Sequence, residues 1–373
     1  MRYARLGVAM LILVGSYAKA AEPQNLASTL QPILAKHQTP ALWGAIVDGG
    51  QVVALGAVGV RKFGSPERVT VNDLVHLGSD TKAMTAVLIT QLIEKKQLAF
   101  DTPMNRIFPD LAAKMNGAMA KVTVRQLLDH TGGLPENPSD WWAYDRSKES
   151  LPAQRRQLVK DMLDAAPDYP PGTKFQYSNV GFVMLGAIVE QKTGLPWEEV
   201  IQQEIFGPLK MESAGFGPPG AIGKIEQPWG HTISNGALVA NQGDNPPIMS
   251  PAGRVHCSMT DWAKFVAQFL KTHADQPALL PAMLQHELIM LPATPKGTTY
   301  AGGWIVTERS WAGEGNGTVL THTGSNNSWL CVAWLAPGKD FGVLAATNVG
   351  GDDASAACDE VSAALIGIHG AQR

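Results

Sequence analysis

The chain has 373 residues, 45% of them hydrophobic and 17% charged, with a formal net charge of -3 at pH 7. That composition belongs to a globular protein with enough chain for two domains or one large composite, and it excludes disordered, collagen-like and wholly membrane-embedded chains. No basic run appears, so nucleic acid is not an expected partner.

The amino-terminal residues stand apart. Arg2 and Arg5 make a positive start, residues 6–14 form an apolar run too short to span a bilayer, and Ala18-Lys19-Ala20 is a small-x-small cleavage signal. This pattern predicts a secretory signal peptide over residues 1–20, with an uncleaved anchor as the competing reading. The mature protein is then expected to be periplasmic or secreted, with no stable membrane span after cleavage. Residues 26–37 read as a first helix. Residues 41–47 and 52–58 read as strands, with Asp48-Gly49-Gly50 between them as a hairpin signal. Residues 75–78 lead into a helical pattern carrying Ser79, Lys82, Ala86, Val87, Ile89 and Ile93, and Ser79 and Asp80 suit its N-terminus.

From residue 101 to about residue 295, helical patterns at 124–130, 153–165, 180–192 and 261–270 alternate with long Gly/Pro-rich loops at 132–138, 215–223 and 242–251. Loops of that length inside a compact protein are usually functional or covering elements. Strand signals return at 303–307, 318–321, 330–335 and 341–346, with Pro337-Gly338-Lys339-Asp340 as a hairpin turn, and a closing helix is expected over 354–366. Strands at both ends with helices between them predict an α+β fold. One antiparallel sheet is built from both chain ends (21–97 and 297–373) and flanked by helices, with a mainly helical domain inserted over 98–296. The three cysteines, Cys257, Cys331 and Cys358, are too few for a disulfide framework; one pair is possible after export, and Cys331, in an apolar run, is expected buried and free.

The chemistry is concentrated in three short motifs. Ser79-Asp80-Thr81-Lys82 places a hydroxyl and an amine three residues apart, on one face of a helix. A serine becomes a nucleophile only beside a base or a cation. The motif alone is weak, since Ser16 and Lys19 repeat it within the leader. Tyr177-Ser178-Asn179 comes just before a helical pattern, and His322-Thr323-Gly324-Ser325 closes a strand-like run. His-Thr-Gly also occurs at His130, between the first two motifs, where it reads as a structural turn.

In that order and spacing, with Leu127 to Pro135 and Ser250-Pro251-Ala252-Gly253 flanking them, the chain resembles the serine β-lactamase and penicillin-binding-protein superfamily. The resemblance is to its class C-like branch, with the related esterases, D-aminopeptidases and DD-carboxypeptidases. It implies that Ser79 forms an acyl-enzyme, that Lys82 assists it, and that Tyr177 is the general base as a phenolate or shares that duty with Lys82. A free tyrosine ionises near about 10, so a phenolate at neutral pH needs a close cation. The resemblance further assigns Asn179 to the substrate amide and the Lys82 side chain. It assigns the N–H groups of Ser79 and Ser325 to an oxyanion hole, and Gly324 to the close approach of a substrate backbone. His322 stands where most β-lactamases and carboxypeptidases of the family carry a lysine that binds a substrate carboxylate. The expected substrates are therefore small esters or D-amino-acid amides and peptides, with a pH profile that depends on His322. The alternatives are a class C-type β-lactamase or DD-carboxypeptidase, and a non-hydrolytic sensor or scaffold.

Other signals are empty. His286-Glu287 lacks the second histidine of a zinc helix, and residues 313–317 are glycine-rich but precede no helix, so neither a metal nor another cofactor is expected. Trp141-Trp142-Ala143-Tyr144 reads as packing in the helical domain, with an apolar acyl pocket as the competing role.

Overall fold

The structure is a computed structural model that describes residues 22–271, 277–290, 300–313 and 317–372; the leader expected over residues 1–20 lies outside them. Among the described residues no helix is long and apolar enough to cross a membrane.

An eight-stranded sheet runs through the molecule in the order Gln24–Asn25, Gln51–Gly59, Ala41–Asp48, Phe341–Thr347, Leu330–Ala336, Thr318–Ser325, Trp304–Glu308, Tyr300–Ala301. Every pairing is antiparallel except that of the first strand. The expected hairpin is present: Asp48 pairs with Gln51, and Gly49 and Gly50 supply φ of +57° and +71°, as a two-residue turn between right-twisted strands requires. Ala41–Asp48 is central and buried on both faces, which is why it reads as a continuous apolar run. Its side chains alternate between two cores. Leu42 and Ile46 meet the helices Ala27–His37 and Asp352–Gln372 through Leu30, Ile33, Val361 and Leu365; Trp43, Ala45 and Val47 face the other way.

On that second face lies the helical layer. Thr81–Glu94 is buried from Thr81 to Leu92, and Asn179–Thr193 from Val180 to Glu190. Helices that are apolar all round belong in a core, and these two pack on each other and on the short Ser250–Gly253 helix. The helix that carries the first motif is therefore a central beam of the molecule. The strand before it, Leu74–His76, pairs with Val255–Ser258 rather than with the main sheet, and Gly215–Phe216 completes that small sheet. Another small pair, Gly230–Ser234 with Ala237–Asn241, lies between the loops expected at 215–223 and 242–251, where no strand was expected. Four- and five-residue strands take their identity from the partner they pair with, and the partner is not encoded locally.

Arg155, on the helix Leu151–Asp164, joins the helical layer to the loop at 242–251. It is fully buried, pairs with Glu190 and Glu198, and donates to the Ile248 carbonyl at 3.1 Å. Removing one member of a buried ion pair leaves the others uncompensated. Arg155→Ala is expected to destabilise the protein by about 3–5 kcal/mol, read from the urea midpoint, with local rearrangement around Ile248 visible by hydrogen exchange.

Candidate active site

Ser79 sits where a strand stops and a helix begins. The Leu77 N–H donates to the Val255 carbonyl at 2.8 Å, and the chain then passes through one 3-10 turn, Gly78–Asp80, into Thr81–Glu94. Gly78 has φ of +49°, a left-handed conformation that glycine adopts freely. A Cβ there would fall 2.3 Å from the Ser325 nitrogen on the neighbouring strand. Gly324 answers from the other side: its Cβ would fall 1.9 Å from the Leu77 carbonyl oxygen. Two glycines thus let two backbones meet and bring the Ser325 amide beside the Ser79 turn. This contact within the protein by itself demands glycine at 324.

Lys82 follows on the same helical face and is fully buried. Its Nζ donates to Ser79 Oγ at 3.0 Å, to Asn179 Oδ1 at 2.8 Å and to the Ala252 carbonyl at 2.7 Å. Burial pushes its pKa down to about 7, against the pull of the Asp80 and Glu136 carboxylates. Tyr177 shares a hydrogen bond with Ser79, and its ring centroid lies 4.8 Å from Lys82 Nζ. Burial pushes the phenol well above its usual value; the bond with Ser79 opposes this, while Asp80 and Glu136 add to it. Burial thus disfavours the expected phenolate, with the Asp80 and Glu136 carboxylates adding to the cost. Asn179 opens its helix but does not cap it. Ser178 is the cap, accepting from the Gly181 N–H at 3.0 Å, which frees the Asn179 amide to accept from Lys82 and to donate to Asn137 Oδ1 at 2.9 Å.

Asp80 does not cap its helix either. Its carboxylate turns inward, accepts from the Cys331 thiol at 3.0 Å and lies 3.4 Å from His322 Nδ1. Burial raises its pKa, opposed first by His322. The other ring nitrogen of His322 lies 3.1 Å from the Tyr300 hydroxyl. Both nitrogens thus face protein, and the residue is only 4% exposed. The ring is thus turned toward Asp80 and Tyr300 and does not line the cavity. Cys331 is buried and free, as are Cys257 and Cys358.

Sequence reasoning understated His130 and missed Tyr300. His130 has φ of +56°, the strained turn expected of it, yet its ring lies against the site. Nδ1 accepts from the Ser178 N–H at 3.1 Å, and the ring centroid is 4.5 Å from that of Tyr177 and 4.4 Å from that of Tyr300. Burial holds it neutral. The repeated His-Thr-Gly was the available signal for His130; nothing local marked Tyr300, on its two-residue edge strand.

Ser79, Tyr177, Asn179 and Ser325 open onto a cavity of about 790 Å³, while Lys82, His322 and Gly324 lie behind its wall. Trp141 and Trp142 line it, as the acyl-pocket reading supposed, whereas Tyr144 packs in the helical layer and donates to Asp161. Among the described residues the wall carries Glu136, Asp140 and Asp244 but no lysine, arginine or histidine. Among the described residues no group of three or more His, Cys, Asp or Glu side chains is disposed to hold a metal.

A protein-family model described as Beta-lactamase matches residues 26–367. Among curated proteins, the chain is 26% identical over 260 residues to the "Unguisins hydrolase ungD'" of Aspergillus campestris (strain IBT 28561), covering 68% of this chain and 48% of that one. The chain thus spans about half the length of this curated relative. Among solved structures, a D-stereospecific amidohydrolase from Streptomyces sp. superposes with a TM-score of 0.71 at 23% identity, covering 90% of this chain and 98% of the other. A class C beta lactamase from Rhodobacter sphaeroides gives 0.72 at 21% identity, covering 92% and 98%. These two likenesses concern the fold, and they agree with the mixed α+β architecture expected from the strand and helix pattern.

The two-glycine contact is directly testable. Gly324→Ala forces the strand away from the Ser79 turn and is expected to cost about 3 kcal/mol, seen as a lowered urea midpoint. An alanine variant as stable as the parent would mean the two backbones are not in contact.

Proposed function

The chain belongs to the Beta-lactamase family, and from that premise we propose that it is an exported serine hydrolase working through an acyl-enzyme on Ser79. Small esters or D-amino-acid amides and peptides are its proposed substrates. One observation carries this reading: a buried amine, with its pKa down at about 7, lies 3.0 Å from the Ser79 hydroxyl. At and above neutral pH a large fraction of Lys82 is uncharged, so it can take the serine proton as Oγ attacks a carbonyl carbon. The oxyanion then lies against the N–H groups of Ser79 and Ser325. As the tetrahedral intermediate collapses, the Tyr177 phenol gives its proton to the leaving oxygen or nitrogen and is refilled from Lys82. Water attacks the resulting ester by the same route in reverse. The amino-terminal leader pattern supports export.

The cavity lining favours substrates without a carboxylate. A β-lactam or a peptide ending in a free carboxylate needs a cation beside Ser79, and among the described residues the wall holds three acids and no base. That sets the β-lactamase and carboxypeptidase alternative below an esterase or amidase. The name of the fungal relative, a hydrolase of unguisins, is consistent with hydrolysis by this family.

Labelling with a fluorophosphonate probe and turnover of p-nitrophenyl esters test the reading. Ser79→Ala should abolish both, and Lys82→Ala should lower kcat/KM by about 10²–10⁴-fold. Because neutral Lys82 is the active form, kcat/KM should rise with pH through a half-point near 7. Labelling without turnover would make the protein a sensor, and no labelling a scaffold. Nitrocefin hydrolysed as fast as the esters would overturn the substrate assignment.

A further inference from the structure

In the cavity wall one buried carboxylate lies between the two segments that carry the candidate oxyanion amides. Asp244, with a side chain only 5% exposed, has Oδ1 3.0 Å from His76 Nε2. The same oxygen accepts from Asn326 Nδ2 at 3.0 Å, and Oδ2 accepts from Arg254 Nε at 3.1 Å. His76 is fully buried, and its Nδ1 accepts from the Gly78 N–H at 3.1 Å. A ring nitrogen that accepts leaves the proton of a neutral imidazole on the other nitrogen, here the one facing Asp244. On the far side Asn326 follows Ser325 directly, and its Oδ1 accepts from the Ser328 N–H at 3.1 Å, closing a tight turn. Burial alone would raise the Asp244 pKa, yet the hydrogen bonds from His76 and Asn326 and the charge of Arg254 lower it. Its negative charge is therefore a permanent feature of the wall.

We propose that Asp244 and His76 form a positioning pair that sets the spacing of the oxyanion amides. One carboxylate grips the Gly78–Ser79 turn through the imidazole and the Ser325 turn through Asn326. Neither residue hydrogen-bonds with the Ser79 hydroxyl, so the pair acts through the backbone. The inference rests on the acyl-enzyme reading of Ser79. A buried ion pair gains little stability over apolar packing, whereas an oxyanion donor displaced from its place typically loses about 10²–10³-fold in rate. Position, more than stability, accounts for charge at this point.

The test compares Asp244→Ala, Asp244→Asn and His76→Asn in the full chain, with p-nitrophenyl acetate as substrate. Asn at position 76 keeps an acceptor for the Gly78 N–H but does not reach Asp244. Asp244→Ala and His76→Asn should each lower kcat by about tenfold or more with KM nearly unchanged, and combining them should add little, because they act as one unit. Hydrogen exchange should quicken together at residues 76–80 and 324–328. If Asp244→Ala fails to fold, His76→Asn is judged alone under the same criteria, while Asp244→Asn, which keeps the volume and an oxygen for His76 and Asn326, should keep kcat near that of the parent. Wild-type kcat in folded Asp244→Ala or His76→Asn, a change confined to KM, or losses that multiply in the double variant would overturn the proposal. A wild-type protein that neither labels nor turns over sinks the acyl-enzyme reading instead. The exchange data then judge the pair alone: joint quickening supports it, and quickening in one segment or neither overturns it.

Discussion

The arrangement depends on keeping an amine out of water. Lys82 is fully buried, and an ammonium moved into a protein interior without compensation is among the costliest of substitutions for solvent. Three oxygens receive its Nζ: the Ser79 hydroxyl, the Asn179 amide and the Ala252 carbonyl. They come from three separate stretches of chain, so the amine cannot be satisfied until those stretches are packed. The compensation is also incomplete, which is why its pKa falls to about 7 and why it is placed to accept a proton.

The surrounding structure reads as the means of holding that arrangement. The helices that bear Lys82 and Asn179 are buried all round and cross in the centre of the helical layer, where small displacements are resisted by dense packing. Arg155 ties the same layer to the loop on which Asp244 stands. Gly78 and Gly324 bring strand and turn into direct backbone contact, so sheet and helices meet at the serine with no side chain between them. Charge is arranged in layers there. Acids line the cavity, the amine lies just behind it, and the Asp80 carboxylate lies deeper still, shared with His322 and Cys331.

This layering alters what the third motif means. Where a lysine would reach toward a substrate, His322 is held edge-on between Asp80 and Tyr300. With its ring turned away, the side chains that face the cavity beside Ser79 are those of the wall itself. His130 and Tyr300 make the back of the Tyr177 pocket, and their burial raises the cost of a phenolate there.

Local periodicity was enough to locate most of the elements. The central strands, the hairpin at Gly49-Gly50, the helix that carries Ser79 and Lys82, and the helix after Asn179 all follow from apolar spacing and turn chemistry, which act over a few residues. The pairing of Ser79 with Lys82 was equally legible, because i and i+3 share a helical face whatever the rest of the chain does. Tyr177, Asn179 and His322 could be named only as members of a familiar order of motifs. The tertiary structure decided how burial and charge act on them. Desolvation and Coulomb interactions depend on neighbours hundreds of positions away, so the lowered pKa of Lys82, the raised one of Tyr177, the inward turn of Asp80 and His322 and the approach of His76 to Asp244 exist only once the chain has closed on itself.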